Sequence, residues 1–194
     1  MVTENIFKAI FIGLLIFLNL VRIYYHLCYK SKKVLSLNKI KETSTVIIFY
    51  ISFLIPAILY VLTNYLEFFS LQLNNLLRFL GIIIILFGTY LFWWTHQTLG
   101  KNFSAILEIK KSHKLIKSGP YKRIRHPMYT SLYIIILGFF LLSSNIFIGL
   151  FPFIGFSILY ITRIKKEETM MIKTFGDEYK EYMKTTGKLF PKFF

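Results

Sequence analysis

Two short runs of polar residues border the most apolar part of the chain. Arg125-His126-Pro127-Met128-Tyr129 opens one apolar stretch, and Arg163, Glu167 and Glu168 follow the next. Charge next to lipid is expensive, so polar groups gathered there mark a working site. An arginine offers a planar fork of donors that matches a carboxylate or phosphate. Aromatic rings and carboxylates together suit a cation. Arg163 and Glu167 stand at i and i+4, on one helix face. As a local ion pair in that order they would contribute only about 0.2–0.5 kcal/mol. A second adjacent carboxylate, Glu168, in a strongly basic surrounding exceeds what such a pair needs.

The residue inventory excludes several chemistries. There is no nucleophile elbow, no glycine-rich phosphate loop and no HExxH, which removes support for hydrolysis and phosphoryl transfer. Cys28 is the single cysteine, so a disulfide or thiolate-rich metal site cannot form within the chain. The histidines are His26, His96, His113 and His126, without paired ligand spacing, and no metal is expected. Group transfer with a bound cofactor requires less machinery, chiefly shape and charge.

The elements that must position these residues are apolar helices. Of the 194 residues 55% are hydrophobic and 19% aromatic, and the mean hydropathy of +0.56 lies above that of soluble domains. Apolar stretches run over residues 6–27, 46–62, 76–94, 128–142 and 146–161. About 20 helical residues cross the roughly 30 Å hydrocarbon layer. The first three stretches reach that length with their flanks, while the last two are short. Only Ser143, Ser144 and Asn145 part them, which predicts a tight helical hairpin. The chain is thus read as a single all-α integral membrane domain, residues 1–194, of five transmembrane helices.

Charge distribution orients it. Residues 30–42 hold five Lys and Arg, residues 95–127 eight and residues 163–194 eight, whereas 64–75 and 143–145 hold none. This alternation predicts an outside N-terminus and a cytoplasmic C-terminus. The excess of 24 basic over 9 acidic residues therefore addresses anionic membrane lipids rather than nucleic acid. The first stretch has its basic flank after the apolar run and reads as a retained span, not a cleaved signal.

Gly81, Gly88, Gly149 and Gly155 are expected at close helix contacts, and Pro56 at a kink in the second span. Arg22 near the end of the first span is read as snorkelling. From Arg163 an amphipathic helix is expected to carry Ile172, Phe175, Tyr179, Tyr182 and Met183, weakened at Gly176. Its aromatics either lie on the headgroups, as does the closing 189–194 segment, or fold over the 95–125 connection and close a pocket.

In chain order, His113-Lys114-Leu115-Ile116 followed after four residues by Tyr121, then Arg125-His126-Pro127-Met128-Tyr129, then Arg163, Glu167 and Glu168, then Phe175-Gly176-Asp177-Glu178-Tyr179, resembles the isoprenylcysteine carboxyl methyltransferase family. It looks like a minimal prokaryotic, archaeal-type member. The resemblance covers residues 95–191, and five crossings ending in a hairpin fit that family. It implies a cytoplasmic pocket for S-adenosylmethionine, with S-adenosylhomocysteine as product. Carried onto matching positions, His113, Leu115, Ile116, Tyr121, His126, Pro127, Tyr129 and Glu167 would surround the cofactor. Lys114 and Met128 lie within the same motifs, and Glu108 stands where many relatives have glutamine. Arg163 matches the arginine assigned to the prenylcysteine carboxylate. Arg125 and Glu168 complete the catalytic set.

The implied reaction is methylation of the carboxylate of a prenylated cysteine or similar lipid-tailed acid. The alternative is a phospholipid N-methyltransferase acting on phosphatidylethanolamine-type amines, whose family shares a similar arginine-histidine-proline motif and acidic pair. An amine acceptor must lose a proton, and Glu168 would then be the base. A small membrane scaffold, the non-enzymatic reading, predicts no cofactor binding.

Overall fold

The structure is a computed structural model that describes residues 2–28, 39–100 and 114–192; Glu108 and His113 lie outside them. Among the described residues there are six α-helices: α1 (Val2–Cys28), α2 (Lys39–Leu62), α3 (Asn75–Leu99), α4 (Pro127–Ser143), α5 (Ile146–Phe175) and α6 (Asp177–Thr185). Single 3₁₀ turns cover Glu67–Phe69 and Gly119–Lys122. Helices are the regular elements among the described residues, as the periodicity and hydropathy imply.

Stretches of α1, α2, α3 and α5 are long and apolar enough to cross a membrane. α4, with 17 residues, is about 25 Å long and falls short of the hydrocarbon thickness. α5 differs from the expectation of a short span followed by a separate amphipathic helix. No glycine or proline stands between Gly155 and Gly176, so nothing stops the helix at Ile161. It continues for 30 residues, about 45 Å, and Arg163, Glu167 and Glu168 ride on the same rigid rod as the apolar stretch. Gly176, at φ 54°, adopts a backbone that L side chains rarely take, and there α5 gives way to α6.

α4 is the central element, packed between α3 and α5, while α2 lies along α5 and α1 touches α3 and α4. The α3–α4 contact is the closest. A Cβ on Gly81 would stand 2.6 Å from the Leu142 nitrogen, and one on Gly138 would meet Ile85 at the same distance. Gly88 lies against Ile135 in the same seam. Small residues thus bring two backbones together, the device available where lipid removes the hydrophobic drive between helices. Gly149 faces the Phe140 ring, and Gly155 faces Ser52 of α2. Pro56 lies inside the uninterrupted α2. Arg22 stacks its guanidinium 4.2 Å from the Tyr50 ring centre, which gives it a packing role between α1 and α2.

The interior is mostly aromatic and branched: Phe7, Phe11, Ile85, Phe139 and Leu142 are fully buried, with Phe156 under α2. At the end away from the polar motifs, the loop before α3 is bound to the α4–α5 turn. Leu71 N–H donates to the Ser144 carbonyl at 2.8 Å, Leu73 N–H to Ser144 Oγ at 2.8 Å, and Asn145 Nδ2 to the Leu66 carbonyl at 2.6 Å.

The same end holds a buried charge. Arg78, 6% exposed, donates to Glu4 Oε2 at 2.6 Å and to the Leu142 carbonyl at 2.9 Å. Its guanidinium also lies 3.8 Å from the Phe7 ring centre. One side chain therefore joins α1, α3 and α4. Arg78→Met leaves the Glu4 carboxylate and a buried carbonyl short of a donor, and is expected to cost about 1–3 kcal/mol. The thermal transition in detergent should fall; a transition equal to wild type would show the cluster to be idle.

Candidate active site

The polar motifs meet at one end of the bundle, where the start of α4, the last third of α5 and α6 converge. Pro127 occupies the first helical position of α4 and His126 its N-cap. A proline there loses no intrahelical hydrogen bond and presets the backbone. That geometry places Arg125 and His126 just before the helix and Tyr129 on its first turn, all facing α5.

On α5, Glu167 and Glu168 divide the partners between them. Glu167 Oε1 accepts a hydrogen bond from the Tyr129 hydroxyl at 2.6 Å and lies 3.4 Å from Arg163 Nε. Its other oxygen is 3.6 Å from His126 Nδ1. Glu168, 7% exposed, accepts from Arg125 Nε at 3.1 Å and pairs with the Lys188 ammonium at 2.9 Å. His126 Nε2 faces Glu168 Oε1 at 3.6 Å, beyond hydrogen-bond distance, and this buried nitrogen has no hydrogen-bond partner among the described residues. Such an orphan is costly unless a ligand engages it. Tyr160 closes the apolar side, its ring edge-on to Tyr129 with centres 5.3 Å apart. Tyr133 follows one turn along α4, hydroxyl-to-hydroxyl with Ser157 at 3.1 Å.

The C-terminal segment completes the assembly. Arg125 Nη1 donates to the Thr186 carbonyl and, at 3.2 Å, to that of Met183. Arg125 N–H donates to the Gly187 carbonyl at 2.8 Å, and His126 N–H to that of Lys188 at 3.0 Å. The Thr130 hydroxyl donates to the Leu189 carbonyl at 2.7 Å. Residues 186–189 thus form a strap along the Arg125 backbone.

α6 decides between the two expectations for its aromatics. Tyr179 and Tyr182 are buried, and the Tyr182 hydroxyl donates to the Tyr121 carbonyl at 2.5 Å. They fold over the connection rather than lie on headgroups. Burial pushes the Tyr182 phenol up to about 12 and raises that of Tyr121 as well, so both stay protonated near neutral pH. Phe190 alone of the closing aromatics is described, and it is exposed.

Six of the residues singled out in the sequence therefore meet: Arg125, His126, Tyr129, Arg163, Glu167 and Glu168. Tyr121 is buried beneath α6 and is linked to it through its carbonyl. Met128 turns away and packs against the main core cluster. Leu115 and Ile116 are half-buried and Lys114 exposed on the segment entering the 3₁₀ turn. Lys188, Thr186 and Tyr160 were not legible as site residues. The spacing from the strap back to Arg125 carries no periodic signal, and Tyr160 reads as one more ring in an apolar run.

A family model described as the isoprenylcysteine carboxyl methyltransferase family matches residues 80–173, the stretch that contains α4 and the Arg163–Glu168 segment. The protein-S-isoprenylcysteine O-methyltransferase of Xenopus laevis is 34% identical over 116 residues, 56% of this chain and 38% of that protein. That of Saccharomyces cerevisiae is 33% identical over 126 residues, 63% of this chain and 52% of its own. The chain spans about half or less of the length of these relatives. In backbone, 81% of the chain matches 54% of the eukaryotic intramembrane Ras methyltransferase, an isoprenylcysteine carboxyl methyltransferase, with a TM-score of 0.56 at 22% identity. That likeness shows a shared fold, and with the four apolar helices it makes this a multi-pass membrane protein. Over residues 80–173 and the motifs they carry, the chain is therefore similar to the isoprenylcysteine carboxyl methyltransferase family.

Proposed function

We propose that the protein is an S-adenosylmethionine-dependent methyltransferase that methylates the carboxylate of a prenylated cysteine where the membrane meets the cytoplasm. The observation that carries this reading is the cluster of Arg125, His126, Tyr129, Arg163, Glu167 and Glu168 at the shared ends of α4 and α5, within the family-matched stretch. The cluster fits the cofactor. Glu167 and the Tyr129 and Tyr160 rings offer an anion and π faces to a cation, and His126 Nε2, unpartnered among the described residues, can take a polar group.

When bound, S-adenosylmethionine supplies a methyl group on a positively charged sulfur. The protein's part is to hold and orient. Glu167, anchored by Tyr129, keeps negative charge beside the cation. Arg163, 13% exposed, receives the acceptor carboxylate. That carboxylate is ionised near neutral pH, with an unperturbed value of about 4, so no general base is needed. Proximity and alignment provide most of the acceleration. The aromatic side of the site, from Tyr129 through Tyr160 and Tyr133, keeps water away while two opposite charges approach.

Titration calorimetry of the detergent-purified protein with S-adenosylhomocysteine, followed by methylation of N-acetyl-farnesylcysteine, tests this reading. Binding and methyl-ester formation are expected; absence of binding would leave a scaffold.

The reading includes five crossings with the N-terminus outside, α4 and α5 forming a hairpin and the pocket facing the cytoplasm, in keeping with the basic residues of 30–42, 95–127 and 163–194. After the exposed Cys28 is replaced by serine, a cysteine at exposed Gln72 should react with an impermeant thiol reagent in intact cells. One at exposed Lys122 should react only after permeabilisation. The reverse pattern would turn the topology over and separate the pocket from its cytoplasmic cofactor.

A further inference from the structure

We propose that Lys188, outside every recognised motif, is a positioning residue for the active site. This rests on the methyltransferase reading above. The residue reaches both members of the buried His126–Glu168 couple. Its carbonyl accepts the His126 backbone N–H at 3.0 Å, and its ammonium lies 2.9 Å from Glu168 Oε2. Glu168 Oε1 is engaged by Arg125 at 3.1 Å. With both oxygens held, the carboxylate stays 3.6 Å from His126 Nε2 and does not close on it. Among the described residues nothing else hydrogen-bonds that imidazole nitrogen, which leaves it to a bound molecule. Remove the ammonium, and Glu168 is free to turn onto His126 and occupy that nitrogen.

The strap that presents Lys188 is itself fixed. Gly187 pairs with Ile124 in a parallel bridge. The next turn of chain passes so close to it that any Cβ there would collide with the Phe190 carbonyl. Lys192 ties the strap's far end to the carbonyls of Met183 and Lys184 at 3.1 and 2.8 Å, without touching the carboxylates. Lys188 is 48% exposed at its side chain, and Glu168 keeps its Arg125 donor when the ammonium is lost, so the buried carboxylate is not left without a partner. Lys192 provides an internal control for the strap alone.

The experiment measures S-adenosylhomocysteine affinity by calorimetry, KM for cofactor and acceptor, and thermal transitions for wild type, Lys188→Met, Lys188→Arg and Lys192→Met. Lys188→Met is expected to weaken S-adenosylhomocysteine about tenfold or more. It should raise the cofactor KM in step, with the acceptor KM unchanged and a cooperative thermal transition retained. Lys188→Arg should restore most of the affinity, and Lys192→Met should resemble wild type. Wild-type affinity in Lys188→Met overturns the proposal, as does an equal loss in Lys192→Met, which would assign the effect to strap docking. Failure of the wild type itself to bind S-adenosylhomocysteine would instead overturn the methyltransferase reading.

Discussion

Glu167→Gln should weaken S-adenosylmethionine binding about ten- to a hundredfold while leaving the fold intact. The expectation follows from what this carboxylate touches. Its Oε1 accepts the Tyr129 hydroxyl and faces Arg163, and its Oε2 faces His126. Glutamine keeps the length and one accepting oxygen, so Tyr129 retains its partner and only the charge is lost. The Arg163–Glu167 pair at i,i+4 contributes a few tenths of a kcal/mol at most, about 0.2–0.5, and its removal should barely move the thermal transition. The cofactor loses a charge-assisted interaction, about 1.5–3 kcal/mol, or roughly one to two decades of affinity. S-adenosylhomocysteine lacks the sulfonium charge and should lose less than S-adenosylmethionine. Calorimetry with both ligands measures the difference, and equal wild-type affinities would remove Glu167 from the cofactor site.

The helices and the meeting of the motifs were legible in the sequence for different reasons. Apolar runs and glycine spacing report on packing directly, so Gly81 and Gly88 indicated a close seam before its partner, Gly138, was visible. Arg163, Glu167 and Glu168 follow helical geometry, and their arrival opposite Tyr129 needed only the short turn at Ser144 and Asn145. Three things were not legible. The end of α5 was placed too early because hydropathy falls at Arg163, although no breaker stands before Gly176. The membrane sets where apolar residues stop, not where a helix does. The strap could not be read because residues 186–189 bind Arg125 and His126 through backbone carbonyls, and main-chain bonds leave no trace in side-chain types. Arg78 belongs to no sequence motif, and only the fold brings Glu4 to it.

Arg163→Ala is expected to lower turnover of N-acetyl-farnesylcysteine about a hundredfold or more, while cofactor affinity changes little. Arg163 stands one helical turn before Glu167 on the same face, 13% exposed and 3.4 Å from that carboxylate. It therefore borders the anion proposed for the cofactor without needing to bind the cofactor itself. If its guanidinium receives the acceptor carboxylate, truncation removes the group that aligns the attacking oxygen, so kcat falls and the acceptor KM rises together. Arg163→Lys should recover little, because a point charge does not reproduce a two-pronged fork. The pH dependence identifies the acceptor. A carboxylate with an unperturbed value of about 4 is ionised throughout the range from about pH 6 to 8, so the wild-type rate should be flat there. An amine must first be deprotonated, which makes its rate climb with pH over the same range. Methylation of phosphatidylethanolamine but not of the prenylcysteine acid, with a rising profile and an indifferent Arg163→Ala variant, would transfer the chemistry to an amine and leave Arg163 as part of the helix surface.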